Sequence, residues 1–194
     1  MVSSKFKVSR RIVENIWTHK KLTPKQNTIL RKCKQKSNRK QSDFAKQLQQ
    51  RTKLSMFYGN LPRNQIKQNQ STSQLDKQKS LLLNLESRLD VLLVRIHFCS
   101  TLFAARQFIV HGKIYVNFQK VNIPSFCVSN GDILSISPDY LECMKCIVRE
   151  NLAQHKILPT KPSHLEVNYK TLNAVLLYDP CRIQFDYQIE LDLF

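Results

Sequence analysis

Acidic residues are scarce in this chain: 14 Asp+Glu stand against 31 Lys+Arg in 194 residues, a formal net charge of +17. Charge that lopsided cannot be balanced within the chain and calls for a polyanionic partner, with RNA, DNA and an acidic membrane face as the classes. Long apolar runs are also missing. Without a stretch of about 18 apolar residues no bilayer-spanning helix is expected, and the first forty residues lack the apolar segment of a secretory signal. A second close cysteine pair is absent as well. Of Cys33, Cys99, Cys127, Cys143, Cys146 and Cys181, only Cys143 and Cys146 have ligand spacing. A structural zinc site takes about four ligands. The pair therefore reads as two helical cysteines one turn apart, and neither a metal nor a cofactor is expected.

What is present divides sharply along the chain. Residues 1–70 hold eighteen Lys/Arg and two acids, Glu14 and Asp43, whereas residues 71–194 hold thirteen Lys/Arg and twelve acids. The run Arg31–Lys40 has too little apolar content to bury a core, so it is expected to be extended until phosphates neutralise it. Met1 to Arg11 is basic, Ser-containing and acid-free, a composition shared with organelle-targeting segments. From Ser42 to Tyr58 the residues Phe44, Leu48, Leu54 and Phe57 recur at helical intervals among Lys46, Arg51 and Lys53, which predicts a helix with one apolar stripe and one basic face. Residues 61–80 are polar and read as a connector.

From Leu81 onward the chain can build a core. Leu85, Leu89, Leu92, Leu93 and Ile96 have helical spacing, with Arg88 and Arg95 on another face, turned to solvent or to a ligand. Ser100-Thr101 caps a second helix whose inner side carries Ala105, Phe108 and Ile109, and Gly112 ends it. Strands are expected at 113–117 and 131–136, with an extended Val121–Pro124 between them. The fold class is α+β. A basic, largely extended or helical region spans 1–80, a compact module of two helices on a small sheet spans 81–137, and a strand-containing extension spans 138–194. The exposed polar set of the module is rich in groups that contact phosphate and sugar oxygens.

The ordered set Arg88-Leu-Asp90, Arg95, Phe98–Thr101, Ala105-Arg-Gln107, His111–Asn117, Val121–Ser125 and Gly131-Asp132 resembles the RNA-binding module of the family of small-subunit ribosomal protein four. The flanks extend the resemblance: Lys5–Arg11 is similar to that family's basic entry, Ser42–Gly59 to the helix before its module, and Pro162–Val167 to its C-terminal region. The lead-in Leu82–Glu86 and the ending Tyr178–Phe194 are most similar to mitochondrial members. The resemblance makes the first residues mature RNA contacts rather than a cleaved leader. It implies a structural constituent of the small subunit of the mitochondrial ribosome, in the matrix. It also implies early subunit assembly, a place near the mRNA entry path beside ribosomal protein five, and an influence on decoding fidelity. The partners implied are small-subunit rRNA, neighbouring ribosomal proteins and mRNA, with neither membrane nor DNA.

Two features depart from that family. Some members hold zinc through N-terminal cysteines, and here only Cys33 lies in that region, so no zinc is carried over. The family usually has Gly after the Asn of the strand turn. This chain has Asn117-Phe118, so a different or longer turn is expected.

The RNA contacts expected are Lys5, Lys7, Arg10, Arg11, Arg51 and Lys53 in the N-terminal region. In the module they are Arg88, Arg95, Ser100, Thr101, Arg106, Gln107, His111, Lys113, Asn117 and Lys120. Replacing Arg95 and Arg106 with Ala is expected, on the sequence alone, to weaken binding and leave the fold intact. At the C-terminus, Ile183 to Leu193 alternates apolar and polar residues as a one-face-buried strand does. A pseudouridine-synthase-like enzyme carrying the same module would need a catalytic domain that no segment after residue 137 is long enough to supply. His97, His111, His155 and His164 show no catalytic or metal spacing. A ribosome-associated RNA chaperone is the other alternative.

Overall fold

A computed structural model of the chain describes residues 4–15, 22–36, 42–62, 74–153 and 163–178. These fall into two compact units, the described residues up to 70 in the first and those within 71–183 in the second.

The first unit holds three helices: α1 (Ser4–Ile12), α2 (Pro24–Lys36) and α3 (Asp43–Phe57). Helix α1 buries Phe6, Ser9 and Ile12, three residues apart on one face, and exposes Lys7, Arg10 and Arg11. Ile12 packs with Met56 of α3, flanked by Val8 and Phe57. Helix α2 reaches into the basic run expected to be extended. Its start explains why: Thr23 Oγ1 accepts from Gln26 N (3.4 Å) and Gln26 Oε1 accepts from Thr23 N (3.1 Å), a reciprocal capping box, with Pro24 in the first helical position. This Thr-x-x-Gln pattern is a local helix-start signal carried by the sequence itself. Helix α3 starts where expected, with Ser42 Oγ accepting from Ala45 N. It ends at Gly59, whose φ of 73° is the left-handed conformation that closes a helix. The stripe differs from the expected one. Leu54 and Met56 are buried, whereas Phe44 is 74% exposed and Leu48 is exposed too.

The second unit starts with α4 (Gln74–Glu86), so helix occupies the end of the expected connector. The apolar run does not continue as one helix. It breaks at Ser87-Arg88 and restarts as α5 (Leu89–Arg95). The free N–H groups of this new start are met by a loop: Leu89 N donates to Phe126 O (2.8 Å) and Asp90 N to Pro124 O (3.3 Å). A turn through His97, at φ 67°, then leads to α6 (Leu102–Val110), capped by Thr101 Oγ1 on Ala104 N and stopped at Gly112, as the sequence predicts. Leu89, Leu92, Leu93 and Ile96 meet Ala105 and Ile109 in an apolar core.

Five short antiparallel strands cover that core in the order β2-β1-β3-β5-β4: β1 (Ile114–Val116), β2 (Gln119–Lys120), β3 (Ile133–Ile136), β4 (Leu165–Asn168) and β5 (Asn173–Leu176). Alternation places Ile114, Val116, Leu134 and Ile136 inward. The register Val116↔Gln119 leaves Asn117 and Phe118 alone in the β1–β2 turn, at φ 49° and 63°. The turn is thus the two-residue hairpin with both central residues left-handed, not a longer one.

Strand β3 pairs with β5, and α7 (Leu141–Ala153) sends Met144 and Val148 into the same core. The described residues between 138 and 176 thus add a helix and two strands to the module's own core and sheet. The strand expected at 183–193 lies outside the described residues, as does the 37–40 end of the basic run. Among the described residues no helix is long and apolar enough to cross a membrane.

Candidate nucleic-acid interface

The module's arginines are built into carboxylate networks. Asp90, in the first turn of α5 and fully buried, receives a two-pronged bond from Arg88, Nε to Oδ1 at 3.0 Å and Nη2 to Oδ2 at 3.1 Å. Arg106 of α6 adds Nε to Oδ2 at 2.7 Å. One carboxylate thus ties the start of α5 to the middle of α6, and the forked guanidinium geometry fixes both. Arg95 makes a second two-pronged pair, Nε to Glu86 Oε2 at 3.0 Å and Nη2 to Oε1 at 2.8 Å, with Glu86 itself buried. Nearby His164 is buried, and desolvation lowers its pKa against the opposing pull of Glu86.

These pairs change what the arginines do. Arg88 is buried and does not face solvent, contrary to the reading from helical spacing. Arg95 and Arg106 are partly exposed, so each holds a carboxylate with one edge and presents another part of its side chain at the surface. Replacing either one removes a partner from a buried acid, so the expectation of an intact fold does not hold.

Other expected contacts are likewise fixed by local structure. Lys53 is buried against Glu14 at 2.8 Å. Thr101 spends its hydroxyl on the α6 cap. Lys113 Nζ sits 3.5 Å from the Tyr140 ring centroid and 5.1 Å from that of Phe108, a cation held over aromatic faces. Asn117 Nδ2 donates to Asp132 Oδ1 at 2.8 Å, and its Oδ1 accepts from Ile133 N at 3.0 Å. The exposed Lys120 lays its chain over Gly112, and the φ of 64° there is the conformation that favours glycine at the end of α6.

The remaining residues are open to a ligand. Ser100, Gln107 and His111 are exposed in the second unit, around α6. In the first unit Lys7, Arg10 and Arg11 form the outer face of α1, and Arg51 is exposed on α3. Lys5 lies in the first turn of α1, with its side chain outside the described residues. Sequence reasoning missed Lys25, Arg31 and Lys32 as individual contacts. All three are exposed on α2, and the capping box that orders them was the signal available.

The chemistry of this surface is binding. Cys143 and Cys146 lie exposed one turn apart on α7, and among the described residues no three His, Cys, Asp or Glu side chains stand together as metal ligands. Burial pushes the Cys99 thiol up to about 12, which removes it as a nucleophile. What the two units offer instead is exposed ammonium, guanidinium, hydroxyl and amide groups on rigid helices, suited to phosphate and 2′-hydroxyl oxygens.

Comparison with known proteins agrees. The S4 domain family matches residues 87–134, the stretch that carries the Asp90 network, the α6 cap and the hairpin. Small ribosomal subunit protein uS4m of Marchantia polymorpha is 55% identical over 194 residues, covering 100% of this chain and 99% of the relative. Small ribosomal subunit protein uS4 of Ruegeria pomeroyi is 32% identical over 92% of this chain and 86% of the relative. The protein of the same name from Methylorubrum populi is 31% identical over 98% of this chain and 93% of the relative. With this identity along its full length, the chain belongs to the uS4 family of small ribosomal subunit proteins.

Proposed function

We propose that the protein is a structural constituent of the small subunit of a mitochondrial ribosome, bound there to small-subunit rRNA. The observation that carries this is identity along the whole chain to a uS4m relative, not in the RNA-binding module alone. The relatives are named as ribosomal proteins, and nothing in the comparisons supports the synthase reading.

The physical division of labour follows the charge. The first unit carries the acid-poor helices, so its exposed cations lie among phosphates and supply affinity through counterion release. The second unit, with thirteen Lys/Arg against nine acids over 71–183, is far less lopsided and packs its own core, so it supplies shape. Ser100, Gln107, His111 and Lys120, with the outer edges of Arg95 and Arg106, meet the backbone and its 2′-hydroxyls. The family resemblance adds that the protein acts early in subunit assembly. The family's place near the mRNA entry path, beside ribosomal protein five, and an effect on decoding complete this reading.

The N-terminal arm gives a direct test. Arg10 and Arg11 are exposed in the last turn of α1, so replacing both with Ala removes phosphate contacts without opening the core. Affinity for small-subunit rRNA is expected to fall, and the slope of log K against log salt should become shallower by about one for each arginine replaced. The far-UV spectrum and melting temperature should stay unchanged. An undiminished affinity removes α1 from the interface.

A further inference from the structure

The β1–β2 turn presents an aromatic ring in a position the isolated protein has reason to avoid. Phe118 is 80% exposed, so its ring contributes nothing to the core. Its backbone lies at φ 63°, in the left-handed region that a bulky L-residue enters only under strain. The turn cannot relax into another type. Val116 and Gln119 are paired across it. The side chain of Asn117 is bound at both ends to β3 and the residue before it, through Ile133 N and Asp132 Oδ1. Asp132 is held in turn, its Oδ2 accepting from Ser129 N at 2.8 Å. Phe118 therefore stands on a rigid mount, disfavoured both by its backbone and by its exposure. Strain retained at an exposed residue points to a gain made on binding.

The surroundings of the ring say what it binds. Asn117, Gln119 and Lys120 beside it are all exposed and polar. A protein contact of any affinity wants an apolar centre shared by several residues. An aromatic this exposed, flanked by a cation and amides, is instead the composition of a base-stacking platform. We propose that Phe118 stacks on an unpaired nucleobase of the small-subunit rRNA, adding an uncharged contact to the phosphate grip described above. This rests on the rRNA reading of the previous subsection.

The experiment uses the full chain and a small-subunit rRNA transcript, comparing wild type with Phe118→Gly and Phe118→Trp. Glycine relieves the left-handed strain, so its melting temperature is expected to equal or exceed that of wild type by a few degrees (roughly 2–6 °C). Its rRNA affinity is expected to drop by about 5- to 100-fold, as removal of one base–aromatic stack does. Its salt slope should match wild type, because every phosphate-binding cation is retained. Tryptophan keeps the ring and should keep the affinity. Stability is thus kept or raised while binding falls, which a purely structural role of Phe118 does not produce. A glycine variant that binds the transcript as tightly as wild type overturns the stacking, as does one that binds normally but fails to enter subunits, which would assign the ring to a protein neighbour. Wild-type protein that ignores the transcript overturns the rRNA reading itself, and the stacking with it.

Discussion

Replacing Asp90 with Ala is expected to destabilise the second unit by about 3–5 kcal/mol, measured as a shift in the urea midpoint. Set against a domain stability of roughly 5–15 kcal/mol, that is a change large enough to leave much of the unit unfolded at physiological temperature. The cause is specific. Asp90 is fully buried and bonded to both Arg88 and Arg106. Its removal takes away the carboxylate that the buried Arg88 fork and Arg106 both bind, and stripping a buried ion pair of its acid costs far more than the pair was favourable. The same change unties α5 from α6. Arg106→Ala, which leaves the Arg88 fork in place, should cost less than the Asp90 change. A midpoint for Asp90→Ala within about 0.5 kcal/mol of wild type would show that the network is surface decoration.

This network marks the limit of what the sequence made legible. The α6 helix could be read in full, because Thr101, the inward Ala105 and Ile109, and Gly112 are local signals that tertiary structure has no reason to override. The N-terminal excess of positive charge was equally plain, and α1 does present Lys7, Arg10 and Arg11 outward. The arginines of the module were harder. A sequence shows their charge but not the acids they meet: Glu86 lies nine residues from Arg95 and Asp90 sixteen from Arg106. Whether such a side chain faces solvent depends on how helices pack, which periodicity alone does not fix. The burial of Lys53 is hidden for the same reason, since its partner Glu14 lies in the segment after α1.

Two further differences have local causes. The stripe on α3 shifted because Phe44 and Leu48 lie toward its exposed start, while the end near Leu54 and Met56 meets α1. The β1–β2 turn was expected to avoid left-handed Phe118, a sound local rule that the pairing of Asn117 with β3 overrides. Strand β5 escaped notice altogether, since Asn173 to Leu176 is only four residues long and draws its stability from pairing with β3 and β4.

The second large effect is electrostatic. Affinity for small-subunit rRNA is expected to fall by about 10³- to 10⁵-fold between roughly 50 and 200 mM monovalent salt, the range for roughly six to ten phosphate contacts. The first unit has enough cations for that count. Lys7, Arg10 and Arg11 on α1, Lys25, Arg31 and Lys32 on α2, and Arg51 on α3 are all exposed. The module's arginines contribute less, because their charge is partly neutralised by Glu86 and Asp90. Filter binding or anisotropy across a salt series measures the slope, and removal of the first unit's cations should flatten it more than substitutions around α6. A flat response would mean that recognition does not run through phosphates, and the basic helices would be left without a purpose.

The rRNA grip serves the cell only if the protein resides in the ribosome. Mitochondrial ribosomes split into subunits, washed in high salt and resolved on a sucrose gradient, put that to the most direct test. The protein is expected in the small-subunit peak at one copy per particle after the wash. Recovery at the top of the gradient, or at well below one copy per small subunit, would contradict a constituent role and leave a visiting RNA chaperone as the better description.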